Sequence, residues 1–125
     1  MTLIEIINAK DALQKYSDSI PPGATMFKAI KFIKFAEEQE RYFNDVRAQM
    51  LAKYGERDAD GKYVPSKDGK GYNIKREHTQ IFLKESLELQ NTEVEYSPVF
   101  TLDELSPLGI KFWDMYAIFP IIKDA

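Results

Sequence analysis

The first hydrophobic run of the chain, Leu3-Ile4-Glu5-Ile6-Ile7, is rich in β-branched residues and ends at Asn8. Such a run, bounded by a residue that favours turns, is typical of a short β-strand. Asn8 and Asp11 are residue types found at helix starts, where their side chains accept hydrogen bonds from free backbone amides. The pattern therefore predicts a strand over residues 2–7 and then a helix from residue 9 to about residue 17.

The longest periodic pattern lies between the loop Pro21-Pro22-Gly23 and Gly55, since prolines and glycines interrupt helices. Within it, apolar side chains recur at helical spacing and fall on one face. They are Phe32, Ala36, Phe43, Val46, Met50 and Tyr54. We expect a single helix from Ala24 or Thr25 to Tyr54, about 45 Å long, that serves as the spine of the protein.

Turn residues dominate after this helix. Asp60-Gly61 and Asp68-Gly69 are pairs that favour tight turns, and they predict a flexible hairpin or flap over about residues 56–73. A second helix is expected from Ile74 to about Gln90, where apolar residues again recur at helical spacing.

The C-terminal third combines one strand pattern with two helix starts. Thr92-Glu93-Val94-Glu95-Tyr96 alternates polar and apolar residues, which predicts a half-buried strand. Thr101 and Glu104 have the spacing of a capping box, and Ser106-Pro107 offers a second start. The whole chain, residues 1–125, is thus predicted to be one α+β domain. A long central helix would carry two or three further helices and a small antiparallel sheet or hairpin.

Composition narrows the class of protein. Of the 125 residues, 44% are hydrophobic and 30% are charged, and none is cysteine, which indicates a globular domain without disulfides or thiolate chemistry. The longest apolar stretch, Phe112 to Ile122, is interrupted by Asp114 and Pro120 and is too short for a bilayer. The N-terminus lacks the basic region of a signal peptide. We therefore expect a cytoplasmic protein and no membrane partner.

Charge argues against one further class of partner. The net charge is −3, whereas binding to duplex nucleic acid needs an excess of lysine and arginine. The charge is uneven, because residues 53–76 carry seven cations and four anions. This part of the flap could therefore still attract a small anionic ligand.

One motif resembles a calcium site. Glu56, Asp58, Asp60 and Gly61 match positions 1, 3, 5 and 6 of an EF-hand loop. Position 12, where the loop needs a bidentate glutamate, is Lys67. A cation there excludes calcium, so the motif is expected to form a surface turn.

Catalytic motifs are also missing from the sequence. His78 is the only histidine, and no serine or acid near it has the spacing of a catalytic triad. Without cysteine, a zinc site would need this imidazole and carboxylates alone, which is an uncommon ligand set. The glycines form no phosphate-binding pattern. We predict a protein that is not an enzyme, with no catalytic residue, metal or cofactor.

Three surfaces hold the candidate binding residues. The first surface, which we call the lysine row, consists of lysines that recur every three residues near the start of the long helix, where the helix dipole disfavours cations. The basic flap is the cationic part of the hairpin, and the aromatic tail is rich in residues that interface cores favour. The members are Lys28, Lys31 and Lys34 in the lysine row; Lys62, Lys70, Lys75 and Arg76 in the basic flap; and Phe112, Trp113, Tyr116 and Phe119 in the aromatic tail.

Each surface also has an ordinary structural explanation. Lysine side chains stay solvated above apolar faces, and charged segments are usually plain solvated surface. The aromatic tail can equally close the core of the domain. The sequence leaves both readings open for all three surfaces.

Six segments, in their order along the chain, carry a resemblance to a known family. They are Leu3–Asn8, Phe27–Lys34, Ala52–Tyr63, Phe82–Leu89, Glu93–Glu95 and Leu102–Leu105. In this order the chain resembles a family of small phage and prophage proteins from Gram-positive bacteria whose members have no assigned activity. The pattern covers most of the chain but not the Pro21-Pro22 loop or the residues after Leu105. The resemblance implies a phage origin, in the host cytoplasm or the virion, and implies no activity.

These observations predict a non-enzymatic, phage-encoded protein that binds a protein partner or its own copies as a host-interaction or inhibitor protein. A homo-oligomer is expected. One alternative is a structural or assembly component of the virion. Another is a sponge that sequesters a phosphorylated host signalling ligand, with cations on the phosphates and an aromatic ring on the base.

Overall fold

The structure is a computed structural model that describes residues 1–124. Helices dominate it, and we number the α-helices in chain order. They are α1 (Leu3–Gln14), α2 (Ala24–Tyr54), α3 (Thr79–Gln90), α4 (Leu102–Leu105) and α5 (Phe112–Ile118). Short 3₁₀ turns lie at Ser17–Ser19, Arg76–His78, Ser106–Leu108 and Phe119–Ile121.

The predicted α+β class is wrong. The chain is 63% helical, and residues 1–124 form no strand or sheet. Backbone pairing of the β type is confined to isolated bridges. Each of the segments predicted as strands has its own physical reason for this outcome.

Residues 2–7, predicted as a strand, belong to α1. Thr2 and Glu5 form a capping box, in which the Glu5 amide donates to Thr2 Oγ1 at 3.3 Å and the Thr2 amide donates to Glu5 Oε1 at 2.9 Å. This box satisfies backbone amides that a helix start leaves free. The helix therefore begins at Leu3, six residues before the predicted start at residue 9.

Residues 92–96, predicted as a strand, have no neighbouring strand because residues 2–7 are helical. A single antiparallel bridge joins Thr2 to Glu93. Two backbone hydrogen bonds accompany it, from the Leu3 amide to the Thr92 carbonyl and from the Val94 amide to the Met1 carbonyl. This segment therefore caps the N-terminus of α1 without extending into a sheet.

The hairpin or flap predicted at residues 56–73 forms a series of turns. Bridges join Arg57 to Tyr63 and Pro65 to Tyr72, but the pairing does not extend into strands. Proline has no amide to donate to a ladder, and Gly61 and Gly69 adopt positive φ angles that turn the chain. Flexibility in this segment stays a prediction.

Helix α2 has the limits that the sequence predicts. Gly55 follows its last residue, and only glycine fits there, because a Cβ atom at this position would lie 2.5 Å from the Leu51 carbonyl oxygen. The predicted apolar face is largely buried, with Phe32, Ala36 and Tyr54 among its inaccessible residues. The helix predicted from Ile74 to about Gln90 is present as α3, but it begins at Thr79, after the 3₁₀ turn Arg76–His78.

The described chain divides into two compact units, residues 1–41 with 91–124, and residues 42–90. The core of the first unit is built from α1, the first part of α2 and the C-terminal segment. Its fully buried side chains include Leu3, Ile6, Leu13, Phe32, Phe100, Leu105, Ile118 and Ile121. In the second unit, Tyr54 contacts the edge of Phe82 and its hydroxyl donates to Glu85 at 2.8 Å. The single-domain organisation stays a prediction.

The capping box predicted at Thr101 and Glu104 is present and begins α4. Beyond it, α5 packs against α1 within the first unit. None of the helices formed by residues 1–124 combines the length and hydropathy that crossing a membrane requires.

Candidate functional site

Helix α5 is anchored to the end of α1 by a polar contact on its inner side. Asp114 accepts a hydrogen bond from the Tyr16 hydroxyl at 2.7 Å and forms an ion pair with the Lys15 ammonium at 2.9 Å. The Lys111 amide, at the start of α5, donates to the same Tyr16 oxygen at 2.9 Å. Three polar contacts therefore fix the rotation of α5 about its own axis.

The groups of this anchor shift one another's pKa values. The Tyr16 hydroxyl, and then the Lys15 ammonium, hold the pKa of Asp114 below its usual value. The same hydrogen bond raises the pKa of Tyr16, because deprotonation would place two negative oxygens in contact. The anchor is thus most stable with Asp114 ionised and Tyr16 neutral.

With Asp114 and Ile118 turned inward, four aromatic side chains face outward. Trp113 is 74% exposed and Phe112, Tyr116 and Phe119 are also exposed. Trp113 packs edge-on against Phe112, with ring centroids 4.9 Å apart, and against Tyr116 at 5.8 Å. These four residues are the aromatic tail of the sequence, and we call the surface that they form the aromatic face. A contiguous exposed apolar surface of this kind is characteristic of interaction sites.

A groove of about 540 Å³ borders one end of the aromatic face. It lies where the start of α1 meets the end of α5, and all of its lining belongs to the first unit. The lining residues are Glu5, Asn8, Tyr116, Ala117, Phe119 and Pro120. Its volume is within the range of about 300–1,000 Å³ that is typical of ligand pockets.

Two of the three side chains in the lysine row contact other residues of the chain. Lys28 forms an ion pair with Glu104 at 2.9 Å and also donates to the Val99 carbonyl. This ammonium lowers the pKa of Glu104. Lys31 lies 4.7 Å from the centroid of the exposed Phe27 ring, as in a cation–π contact, whereas Lys34 is exposed. For Lys28, the anionic partner is a residue of the chain itself.

The basic flap is exposed at all four of its cations, Lys62, Lys70, Lys75 and Arg76. Tyr63 lies in the same segment and is held by Arg57. The Arg57 guanidinium lies 4.5 Å from the Tyr63 ring centroid and donates to the Tyr63 hydroxyl. Tyr63 in turn contacts Tyr72 at 5.7 Å. The structure shows no interaction that brings the four cations to a common point.

The calcium-like motif forms the turn that the sequence predicts. Asp58 Oδ1 accepts hydrogen bonds from the amides of Asp60 and Lys62 at 2.9 and 3.0 Å, and Gly61 completes the turn with a φ of 79°. The Asp58 carboxylate therefore serves the local backbone. Across residues 1–124, no three acidic or histidine side chains converge in a way that could hold a metal ion.

His78 ends the 3₁₀ turn before α3 and is half-buried. Its ring lies 5.4 Å from that of Tyr54 in a tilted arrangement. The contact is with a neighbouring aromatic ring, and this gives the imidazole a packing role.

The sequence analysis did not consider Lys10, which is 5% exposed. Its ammonium is held by both carboxylate oxygens of Glu40, at 3.0 and 2.9 Å, and by Asp11 at 3.1 Å. Burial acts to lower the pKa of Lys10, but the two carboxylates outweigh it and raise the pKa above the usual value. The helical register of α1, which places Lys10 between Ile6 and Leu13 on the buried side, is the signal that could have found it.

The polar lining of the groove was also missed. Glu5 and Asn8 are more than a hundred residues away in sequence from Tyr116 and Phe119, and only the packing of α1 on α5 brings them together. Comparison of the chain with family models, curated proteins and solved structures gives no match. The resemblance to phage proteins therefore stays a prediction, and the case for function rests on the geometry.

Proposed function

We propose that this chain is a non-enzymatic protein that acts by binding a protein surface through the aromatic face of α5. One observation supports the proposal above the others. The Tyr16–Asp114–Lys15 anchor holds α5 in a single orientation, and that orientation keeps Phe112, Trp113, Tyr116 and Phe119 in solvent. Exposed, pre-oriented aromatic rings are the residues that dominate protein-binding interfaces.

The proposal of a phage origin, in the cytoplasm of a bacterial host, rests on the resemblance in residue order alone. The proposal that the protein is not an enzyme rests on the lack of catalytic motifs in the sequence. Of the three candidate surfaces, the aromatic face is favoured because it is exposed and contiguous. The lysine row is less suited to an external anion, because Lys28 already pairs with Glu104.

The test uses the single tryptophan of the chain. Trp113 is the most exposed ring of the aromatic face, so its fluorescence reports directly on whether that face is covered. The chain would be used to capture proteins from bacterial lysate, and each identified protein would be purified and titrated against it. We expect the Trp113 emission to shift to shorter wavelength on binding, as the indole leaves water.

Two variants control the capture. Trp113→Ala removes the most exposed ring and should abolish recovery of the bound protein. Tyr42→Ala removes an exposed ring of the second unit and should leave recovery unchanged. The proposal is wrong if Trp113 emission stays that of an exposed indole both with every captured protein and in the purified chain at high concentration.

A further inference from the structure

The two ends of the aromatic face have different neighbours, because α1 and α5 pack antiparallel. The end of α1, at Lys15 and Tyr16, contacts Asp114 near the start of α5. The start of α1, at Glu5 and Asn8, meets the end of α5 at the groove. The two ends of the face can therefore differ in shape and in charge.

One end protrudes and is positively charged. Phe112 and Trp113 are its most exposed rings, and Lys111 is an exposed cation beside them, whereas the nearby Lys15 is paired with Asp114. The other end is concave because it borders the groove, and it is negatively charged because Glu5 lines that groove. The Thr2 hydrogen bonds lower the pKa of Glu5, so this carboxylate is ionised at neutral pH. Tyr116 lies between the two ends.

The area of the face is close to what a stable pair of copies needs. Aromatic side chains have about 150–250 Å² to bury, and these four are between about half and three quarters exposed. One copy thus offers about 500 Å² from these rings, and two copies about 1,000 Å². Specific interfaces begin at about 1,000 Å² in total.

We propose that the occupant of the aromatic face is a second copy of this chain, related by a two-fold axis near Tyr116. In this arrangement Trp113 of each copy enters the groove of the other, and Lys111 of each copy faces the other copy's Glu5. A two-fold contact requires one surface that is complementary to itself. A face with a protruding cationic end and a concave anionic end meets this requirement. The inference rests on the proposed function, since it names the partner of the same surface.

The first test measures the mass of the purified full-length chain by sedimentation equilibrium over a wide range of concentrations. We expect a monomer–dimer equilibrium, with Trp113 emission shifting to shorter wavelength as dimer forms. Trp113→Ala removes the protruding side chain, and Asn8→Lys places a long cationic chain in the groove from an exposed position of α1. Each variant alone should be monomeric, with far-UV circular dichroism matching the wild type.

The second test mixes the two variants. The Trp113→Ala copy keeps an open groove and the Asn8→Lys copy keeps its tryptophan, so the pair can form one of the two contacts. We expect a heterodimer in the mixture that is weaker than the wild-type dimer but absent from either variant alone. Tyr42→Ala, outside the face, should dimerise like the wild type.

Three results would overturn the inference: a wild-type chain that is monomeric at every concentration, a Trp113→Ala variant that dimerises normally, or a mixture that contains only monomers. These results are separate from failure of the proposed function. A monomeric chain that still captures another protein through Trp113 rejects the second copy and keeps the proposed function. A chain whose Trp113 stays exposed with every protein, its own copies included, rejects both.

Discussion

Two regions of the first unit place side chains against their usual preference. Near the middle of α1, the Lys10 ammonium is inside the protein, with 5% exposure. On the outer side of α5, four aromatic rings lie in solvent. Lysine is rarely buried unless it is paired, and large contiguous apolar surfaces are rarely left exposed by a monomer.

The two regions differ in where the compensating partner lies. Lys10 has two carboxylates within 3.1 Å, both supplied by the same unit. Phe112, Trp113 and Tyr116 contact one another, and these contacts still leave most of their area in water. The comparison teaches that the unusual burial of Lys10 is compensated inside the fold, whereas the exposed aromatic rings receive no such compensation from residues 1–124.

The largest expected effect separates the inner and outer sides of α5. Ile118→Ala should lower the free energy of unfolding by about 3 kcal/mol, because it opens a cavity at a fully buried position. Tyr116→Ala, on the outer side, should change it by at most about 0.5 kcal/mol. Urea titration at low protein concentration would measure both without a contribution from association. Equal losses would mean that the outer rings stabilise the monomer and that the face is not free.

The next effect tests the buried lysine. Glu40→Ala removes the bidentate partner of Lys10 and should destabilise the protein by about 2 kcal/mol. This is less than the loss for a fully buried pair, because Asp11 remains 3.1 Å from the ammonium. Glu37→Ala, at an exposed position of the same helix, is the matched control and should be near neutral in urea titration. If Glu40→Ala is also neutral, then Lys10 reaches water and the contrast with the aromatic face disappears.

A third effect has the opposite sign. The Tyr96 hydroxyl is buried without a hydrogen-bond partner among residues 1–124, and burial raises the pKa of Tyr96 to about 12. Tyr96→Phe removes this oxygen and keeps the ring that stacks on Phe35 at 5.3 Å. We expect a gain in stability of about 1 kcal/mol, measured by thermal and urea unfolding.

The matched control for this gain is Tyr16→Phe, which removes a hydroxyl that is bonded to Asp114 and should lower stability. A loss on Tyr96→Phe would show that the hydroxyl has a partner. The expected gain would instead extend the comparison to a third group, since an unpaired polar atom inside the fold is the counterpart of uncovered apolar atoms outside it.

Local signals in the sequence predicted part of this molecule. The limits of α2 follow from Pro21-Pro22-Gly23 and Gly55, which interrupt helices through their own backbone chemistry. The strand predicted at residues 2–7 is wrong because the prediction rests on β-branched composition alone, whereas the Thr2–Glu5 capping box begins a helix there. The same box was recognised at Thr101 and Glu104, where no β-branched run competes with it.

The residues of the candidate site could be predicted from the sequence, but their positions relative to the core could not. The sequence named the four aromatic residues but left open whether they close the core or form an interface. That choice depends on the rotation of α5, which Asp114 sets through contacts with residues 98 and 99 positions away. The groove depends on the same packing. Local periodicity cannot supply contacts at this separation, because they follow from how α1 and α5 meet.

The smallest expected effect tests the anchor that sets this rotation. Tyr16 and Lys15 hold the pKa of Asp114 below its usual value. A carboxylate with a lowered pKa stabilises the folded state above its unfolded pKa of about 3.9, and this contribution is lost as pH falls through the folded value. Asp114→Asn should therefore lower the melting temperature at pH 7, and the difference from the wild type should shrink below about pH 4.

Melting curves from neutral to acidic pH would measure this difference, with Asp45→Asn, at an exposed position of α2, as the control for loss of one carboxylate. A difference that does not change with pH would show that Asp114 acts through shape and hydrogen bonding alone. The charge of the anchor would then be dispensable. In that case the outward orientation of the aromatic face should persist in acid, where Trp113 emission would remain that of the neutral protein.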